Sequence, residues 1–465
     1  MCPEKTLERF TLKIVIIGAG EVGYHVARRL ALEHKDVVVV DRDGAALRRV
    51  SDSLDVQVVR GEGGSPLVLQ EAGIREAEIL LAVTDSDEVN LVACLVTDML
   101  SPNTRKLVRI RNADFDACHS LLREGAPHIE SVINPEIEAV RTIERLIRLP
   151  GAVEAGELVG GLVQFVGIRL DEGSSMDGMP LPELPKYLGS AKVLVAAVLR
   201  DEKLIIPSGK DFLKAGDLVY LVSGKKHLLQ VMEAFGKASK PVRRVLIVGG
   251  GRLGLRLAAS LEKDHYQVKI IERRSDRCRE LAARLEKAVI LHGDGSDQSL
   301  LAEENVRGVD VMVTLTGDEQ TNILVSLLAR KMGVGAAITR LTRFAYFPLM
   351  SSIGVHQIVS PRLSAIDSIL QHIRRGKVLS TLSIQGEQAE VMEAVALPTS
   401  DIVGRPLSQL SFPKGALVIT IIRGDEIIIP SGDSVIAPDD RVVIFARRKS
   451  VPKVEKALTV KLEYF

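Results

Sequence analysis

Two glycine loops constrain this chain more than any other feature. Gly18-Ala19-Gly20-Glu21-Val22-Gly23 and Gly249-Gly250-Gly251-Arg252-Leu253-Gly254 both have the form G-x-G-x-x-G. Each follows an apolar run of strand character, Lys13–Ile17 and Arg244–Val248, and each opens a stretch with helical periodicity. An acid closes the next apolar run in both copies, Asp41 after Val37–Val40 and Glu272 after Val268–Ile271, each 18 residues beyond the last glycine of its loop. Strand, turn, helix and spaced acid together make a dinucleotide-binding fingerprint, written twice.

Each part of the pattern has a physical reason. The first glycine permits a tight strand-to-helix turn, the second lets backbone approach a pyrophosphate, and the third lets helix pack closely on strand. Free N–H groups at the helix start face the phosphates. The acid is placed to accept hydrogen bonds from a ribose hydroxyl.

Bulk properties fit a soluble chain of several domains. At 465 residues the length alone predicts about three domains, and the internal repeat resolves them into two large, divisible units. Sixty-one Lys and Arg stand against 60 Asp and Glu, aromatic residues make up 3% and Trp is absent. A nucleic-acid surface is therefore not expected, since both phosphate-tracking stripes and stacking platforms are missing. Cys2, Cys94, Cys118 and Cys278 show no ligand spacing and read as buried or incidental thiols of a reducing compartment. The first ten residues contain no apolar export core, and the apolar runs are strand-sized, so a cytoplasmic protein is expected.

Beyond Asp41, strands and helices alternate, which argues for a parallel sheet covered on both faces. The expected order is helix Gly44–Leu54, strand Val56–Val59, the Gly61-Glu62-Gly63-Gly64 turn, a helix from Pro66 and strand Ile79–Val83. Thr84-Asp85-Ser86-Asp87-Glu88 follows, then a helix carrying Asn90, strands Lys106–Arg111 and Ile129–Ile133, and helix Glu136–Leu149. The second half repeats the order: Gly293-Asp294-Gly295, Thr316, Asn322, Arg340 and Ser360-Pro361 answer Gly61-Glu62-Gly63, Thr84, Asn90, Arg109 and Asn134-Pro135. Matches at strand ends, where open α/β sheets hold ligands, indicate a duplicated site.

Segments 151–237 and 377–465 differ in character, with more strand alternation, and are related to each other. Lys203–Gly209 answers Glu426–Gly432, and Asp217–Leu221 answers Asp440–Ile444. The expected fold class is α/β: two Rossmann-like doubly wound parallel-sheet domains (1–150 and 241–376) alternating with two small α+β subdomains (151–237 and 377–465). Gly151 and Lys240-Pro241 punctuate the parts.

On Gly18–Gly23, Val39-Val40-Asp41, Ala82–Glu88, Arg109-Ile110-Arg111 and Val248–Gly251, the chain resembles, over nearly its whole length, the TrkA family of Trk-type potassium-uptake regulatory proteins. That family is built of two tandem RCK (regulator of potassium conductance) modules, in the same alternating order. The resemblance implies cytosolic nucleotide-binding subdomains assembled as a ring, from two or four chains, beneath an integral-membrane potassium transporter. Nucleotide occupancy changes the ring's shape, so the protein would be peripheral on the cytosolic face of the membrane. It further implies that Gly18, Ala19, Gly20, Glu21 and Val22, closed by Gly23, hold phosphates and Asp41 the adenine-side ribose, with Thr84 and Asp85 bordering the nucleotide and Arg109 reaching it. The matching set is Gly249, Gly250, Gly251, Arg252 and Leu253, closed by Gly254, with Glu272, Asp294, Thr316 and Arg340. The implied ligands are NAD(H), and ATP or ADP at the second site.

Arg252 stands where the first copy has Glu21. An acid at a helix start disfavours a terminal triphosphate, whereas an arginine favours one through a charge-assisted contact. The alternative for Arg252 is a solvated side chain. Asp85, Asp87 and Glu88 are explained by capping of a first helical turn, and the nine histidines form no H-x-x-x-H pair, so no metal site is expected. An NAD-dependent dehydrogenase is the competing function. It needs an acid/base residue brought to the nicotinamide, yet segment 377–465 contains neither His nor Cys and 151–237 contains only His227. The expectation is a non-enzymatic regulator with no catalytic residues. Helix Glu136–Leu149 and its repeat near Arg362–Arg375 are read either as inter-subunit contacts or as crossover helices packed on their own domain.

Overall fold

The computed structural model describes residues 12–189, 191–237, 241–374, 378–385 and 388–458. Cys2, Lys240, the segment read for an export signal and the boundary at 376–377 lie outside them. The chain divides into two compact units, Met1–Pro135 with Ala365–Arg375, and Glu136–Ser364 with Gly376–Phe465.

The first unit is built on a parallel sheet of β1 (Lys13–Ile17), β2 (Asp36–Asp41), β3 (Gln57–Arg60), β4 (Ile79–Ala82), β5 (Arg105–Arg109) and β6 (Ile129–Ile133), ordered β3-β2-β1-β4-β5-β6. Ile14 pairs with Val37 on one side and Ile79 on the other, so β1 is central. Its residues Ile14, Val15, Ile16 and Ile17 are almost wholly buried, as a strand covered on both faces requires. The strand order reverses beside β1, and that is where a crevice opens at the carboxyl ends.

The second unit repeats this sheet as β12 (Arg244–Val248), β13 (Gln267–Glu272), β14 (Val289–His292), β15 (Val311–Thr314), β16 (Ala336–Arg340) and β17 (Gln357–Val359), in the equivalent order. It also contains two five-stranded antiparallel sheets. One has β7 (Ala152–Leu158), β8 (Val163–Arg169), β9 (Val193–Arg200), β10 (Lys203–Ile205) and β11 (Leu218–Gly224), ordered β10-β9-β11-β8-β7. The other has β18 (Val378–Ile384), β19 (Ala389–Val395), β20 (Ala416–Arg423), β21 (Glu426–Ile428) and β22 (Arg441–Arg447), ordered β18-β19-β22-β20-β21. The two orders are the same when corresponding strands are matched. The antiparallel sheets share one core: Phe165, Tyr220 and Val222 cluster with Val391, Ile419 and Phe445. Glu393, nearly inaccessible, crosses that interface, accepting from the Val159 N–H and the Ser380 hydroxyl at 2.9 Å each and from Arg441 Nε at 2.9 Å.

The repeated acids of these sheets have a structural task. Asp217 accepts from Arg200 Nε at 2.8 Å and Asp440 from Arg423 Nε at 3.0 Å, while each also accepts a turn N–H, from Lys214 and from Ala437. A buried carboxylate satisfied in this way locks the preceding turn to its sheet.

The helices Pro135–Arg148 and Pro361–Ile373 correct the reading of crossover helices packed on their own domain. Residues 136–148 belong to the second unit: Ala139, Ile143, Leu146 and Ile147 share a core with Leu257, Ala258 and Leu261, and Arg148 pairs with Asp264 at 3.0 Å. The apolar stripe at three- and four-residue spacing carries this packing, each fully buried Ile or Leu contributing roughly 1.5–3 kcal/mol. Conversely, residues 365–374 belong to the first unit, where Arg374 pairs with Glu33 and Arg105 donates to the His372 carbonyl at 2.8 Å. Each exit helix thus packs on the opposite parallel-sheet domain of the same chain, not on its own.

Candidate functional site

The first glycine loop links β1 to helix Glu21–Leu32. Gly18 has φ +111°, and a Cβ there would stand 3.0 Å from the Thr84 nitrogen, so both conformation and proximity require glycine. A Cβ on Gly23 would lie 1.8 Å from the Gly18 carbonyl oxygen, which fixes the helix against the turn. Gly20 is different. Its φ of −65° is ordinary and a Cβ there would meet nothing within 4 Å. The space beside it is open, and no side chain caps the helix that starts there. An uncapped helix start with open space beside it is the environment an anionic group needs.

Asp41 shapes the cradle from the end of β2. Its Oδ2 accepts the Ala19 N–H at 2.6 Å and its Oδ1 the Asp43 N–H at 2.8 Å. An ionised carboxylate has about four lone-pair sites, so acceptor capacity remains for a ribose hydroxyl. Glu21 pairs with Arg49 at 2.9 Å, and Arg49 also donates to the Ala19 carbonyl at 3.2 Å and lies over the Tyr24 ring.

The opposite wall is tied by a buried asparagine. Asn90 accepts the Thr84 N–H at 2.9 Å and the Thr84 hydroxyl at 2.7 Å, and donates to the Arg109 carbonyl at 3.0 Å. Arg109 Nη1 donates to the Val83 carbonyl at 3.3 Å and lies 3.7 Å from Asp85, itself 95% exposed. The acids here do not converge. Asp87 accepts the backbone N–H groups of Arg111 and Asn112, and the Ser86 hydroxyl beside Glu88 holds that carboxyl below its usual range.

The second site repeats this construction in the second unit. Gly249 has φ +109°, a Cβ on Gly254 would lie 2.1 Å from the Gly249 oxygen, and a Cβ on Gly251 would meet nothing within 4 Å. Glu272 accepts the Gly250 N–H at 2.8 Å and the Arg274 N–H at 2.9 Å. Asn322 accepts the Thr316 N–H at 2.9 Å and hydroxyl at 2.7 Å and donates to the Arg340 carbonyl at 3.2 Å. Burial lowers the Arg340 pKa against the attraction of Glu136 and Glu319. Arg252 is not merely solvated. Its Nε donates to Glu136 at 3.0 Å, and Arg256 approaches the same carboxylate at 3.5 Å.

Of the residues singled out in the sequence, the structure brings Gly18, Ala19, Asp41 and Thr84 together, and likewise Gly249, Gly250, Glu272 and Thr316. Asp294 turns to its own loop, accepting the Ser296 N–H at 2.9 Å and hydroxyl at 2.7 Å. The repeated Gly61-Glu62-Gly63 and Gly293-Asp294-Gly295 are accounted for by packing, because a Cβ on Gly63 or Gly295 would stand 2.1 Å from Ile17 or 2.2 Å from Val248. Sequence reasoning missed Asn90 and Asn322 as site-builders, although their repetition beside Thr84 and Thr316 was the available signal. It also missed Arg49 and Arg277, which bond the Ala19 and Gly250 carbonyls from helices Gly44–Ser53 and Ser275–Arg284. His292 bonds the Arg273 carbonyl at 3.0 Å.

The TrkA-N domain matches residues 14–135 and 245–361, and the TrkA-C domain matches 165–236 and 391–459. The chain belongs to the TrkA family. It is 36% identical over 458 residues to the Trk system potassium uptake protein TrkA of Halomonas elongata, covering 98% of this chain and all of that one. Among solved structures, the GsuK channel bound to NAD superposes with a TM-score of 0.58 at 17% identity, covering 98% of this chain and 80% of that one. GsuK bound to ADP gives 0.50 at 14% identity, with 81% and 72% covered. These likenesses establish the alternating RCK architecture, and the TrkA-family relationship ties the chain to a Trk-type potassium uptake system. No helix among the described residues is long and apolar enough to cross a membrane.

Proposed function

We propose that this TrkA-family chain is the nucleotide-binding regulatory subunit of a Trk-type potassium uptake system, gating a membrane potassium transporter through a nucleotide-dependent change of shape. The observation that carries this reading is the pair of cradles at Gly20 and Gly251, open and uncapped, in a chain that lacks a membrane-spanning helix among its described residues. NAD(H) is the ligand of the first cradle. Gly18–Val22 hold its phosphates, Asp41 its adenine-side ribose, and Thr84, Asp85 and Arg109 form the far wall. The second cradle, with Gly249–Leu253, Glu272, Asp294, Thr316 and Arg340, also accepts ATP or ADP, because Arg252 and Arg256, which both approach Glu136, place two guanidinium groups at the start of its helix. The NAD and ADP in the two GsuK structures support nucleotides of both kinds on this architecture.

A ligand shifts shape only by its difference in affinity between two states, on the order of 1–3 kcal/mol per coupled site. Repeated sites add. Leu67, Val92, Leu95 and Met99, exposed on helices Pro66–Glu71 and Asp87–Leu100 of the first unit, support assembly of copies into a dimeric or tetrameric ring. The ring would sit on the cytosolic face of the membrane. Calorimetric titration of the full chain with NADH, NAD, ATP and ADP, beside potassium uptake in cells carrying the Asp41→Ala and Glu272→Ala variants, tests the reading. Turnover of a bound coenzyme, or absence of any nucleotide binding, would end it.

A further inference from the structure

The second unit contains a further cavity, of about 300 Å³, at the opposite end of the parallel sheet from the Gly249 loop. Gly335 and Ala336 enter it where β16 begins and His356 where β17 begins, whereas the glycine loop follows the end of β12. Its other wall is the antiparallel sheet, through Gly151, Ala152 and Arg169.

The cavity is positively charged in a way the protein does not itself balance. Lys237 is paired with Asp171. Arg169 donates to the Gly216 carbonyl at 2.9 Å and the Ser351 hydroxyl at 2.7 Å, and Arg330 donates to the Gly354 carbonyl. Among the described residues neither arginine has a carboxylate partner. Arg169 Nε and His356 Nδ1 are buried without hydrogen bonds. Burial, then Arg169, Arg330 and Lys237, hold the His356 pKa down to about 4 against the pull of Asp171. Two glycines keep the arrangement: a Cβ on Gly354, at φ +90°, would stand 2.2 Å from Arg330 Nη1, and one on Gly151, at φ +93°, would stand 3.0 Å from Lys237 Cβ.

Uncompensated guanidinium groups beside an unpaired imidazole nitrogen favour an oxyanion, since arginine's fork matches phosphate geometry. The volume lies at the small end of ligand pockets and suits a compact molecule, not a dinucleotide. We propose that this cavity is a second kind of anion site, taking one phosphoryl group, free or on a small ester, between Arg169, Arg330 and His356. The anion bridges an antiparallel subdomain and the second parallel sheet from a position separate from the glycine cradle, so the proposal does not depend on which nucleotide the cradles prefer.

The test uses the full chain with NADH and ADP at saturation, so that the glycine loops are filled. Histidine labelled with 13C at Cε1, with His356 assigned through His356→Gln, is followed during titration with inorganic phosphate and, in a second arm, glycerol phosphate at constant ionic strength. The expected result is a saturable His356 shift and a rise of its pKa from about 4, because an adjacent anion favours the imidazolium. In Arg330→Gln, an exposed substitution, the affinity falls at least tenfold. Saturation by the ester alone identifies an esterified phosphate, and saturation by both identifies the free ion as sufficient. No saturable shift in either arm, or unchanged affinity in Arg330→Gln, overturns the proposal.

Discussion

Replacing Gly20 by alanine separates binding from folding more cleanly than any change to the acids. Asp41 holds the loop through the Ala19 and Asp43 N–H groups, so Asp41→Ala disturbs the loop as well as any ribose contact. Gly20, at φ −65° and ψ −173°, has backbone angles alanine adopts, and the new methyl meets nothing within 4 Å. The folded state should therefore be unharmed, or gain roughly 0.4–1 kcal/mol from a less flexible unfolded chain. The methyl projects into the space a pyrophosphate would fill, so at least one hydrogen bond to a charged group is lost or stretched, at about 1.5–3 kcal/mol. That corresponds to a roughly ten- to hundredfold rise in Kd. Calorimetry with NADH should show the first-site affinity reduced by this factor, with the thermal midpoint unchanged or slightly raised. Gly23→Ala is the contrast, because its Cβ would lie 1.8 Å from the Gly18 oxygen and the unit itself should lose about 1–3 kcal/mol. Wild-type NADH affinity at the first site in Gly20→Ala would refute the cradle as the place where phosphates sit.

Arg252→Glu should weaken ATP binding at the second site about tenfold while leaving NADH binding at the first intact; unchanged ATP titration removes the charge argument. The Arg423 guanidinium holds the Asp440 carboxyl below the ordinary range despite the opposing effect of burial. Its stabilisation is thus fully present above the unfolded pKa and is lost as pH falls through the lowered folded value. Asp440→Asn should cost about 1.5–3 kcal/mol at neutral pH and flatten the acid limb of the stability profile, which urea titrations from pH 7 to 3 would reveal. Ile143→Ala, in a fully buried position of helix Pro135–Arg148, should destabilise the second unit by about 2–5 kcal/mol in urea unfolding. Burial pushes the Cys94 thiol up to about 12, so it should resist thiol reagents until the first unit unfolds; modification in the native chain would contradict this placement.

Much of this was legible in the chain itself because local chemistry encodes it. Positive φ at Gly18 and Gly249, and the close packing of Gly23 and Gly254, are demands of the turn, and the glycine spacing announces them. Central strands such as β1, buried on both faces, read as unbroken apolar runs. The destination of helix Pro135–Arg148 was not legible, since an amphipathic stripe says that a face is covered but not by which domain. Asn90 and Asn322 were visible as repeats, yet their task depends on carbonyls 18 and 19 residues away and emerges only on folding. The Arg169, Arg330 and His356 cluster joins residues from three distant stretches, so no local pattern could announce it.

The core shared by the two antiparallel sheets has an evolutionary consequence. Phe165 and Tyr220 meet Val391 and Phe445 within one polypeptide, so dilution cannot separate these two halves. Two repeats bound covalently into one chain are also free to drift apart in sequence, as separate copies of one gene product are not. The acid at Glu21 and the base at Arg252 occupy equivalent positions with opposite charge, a divergence that two identical subunits encoded by one gene could not show.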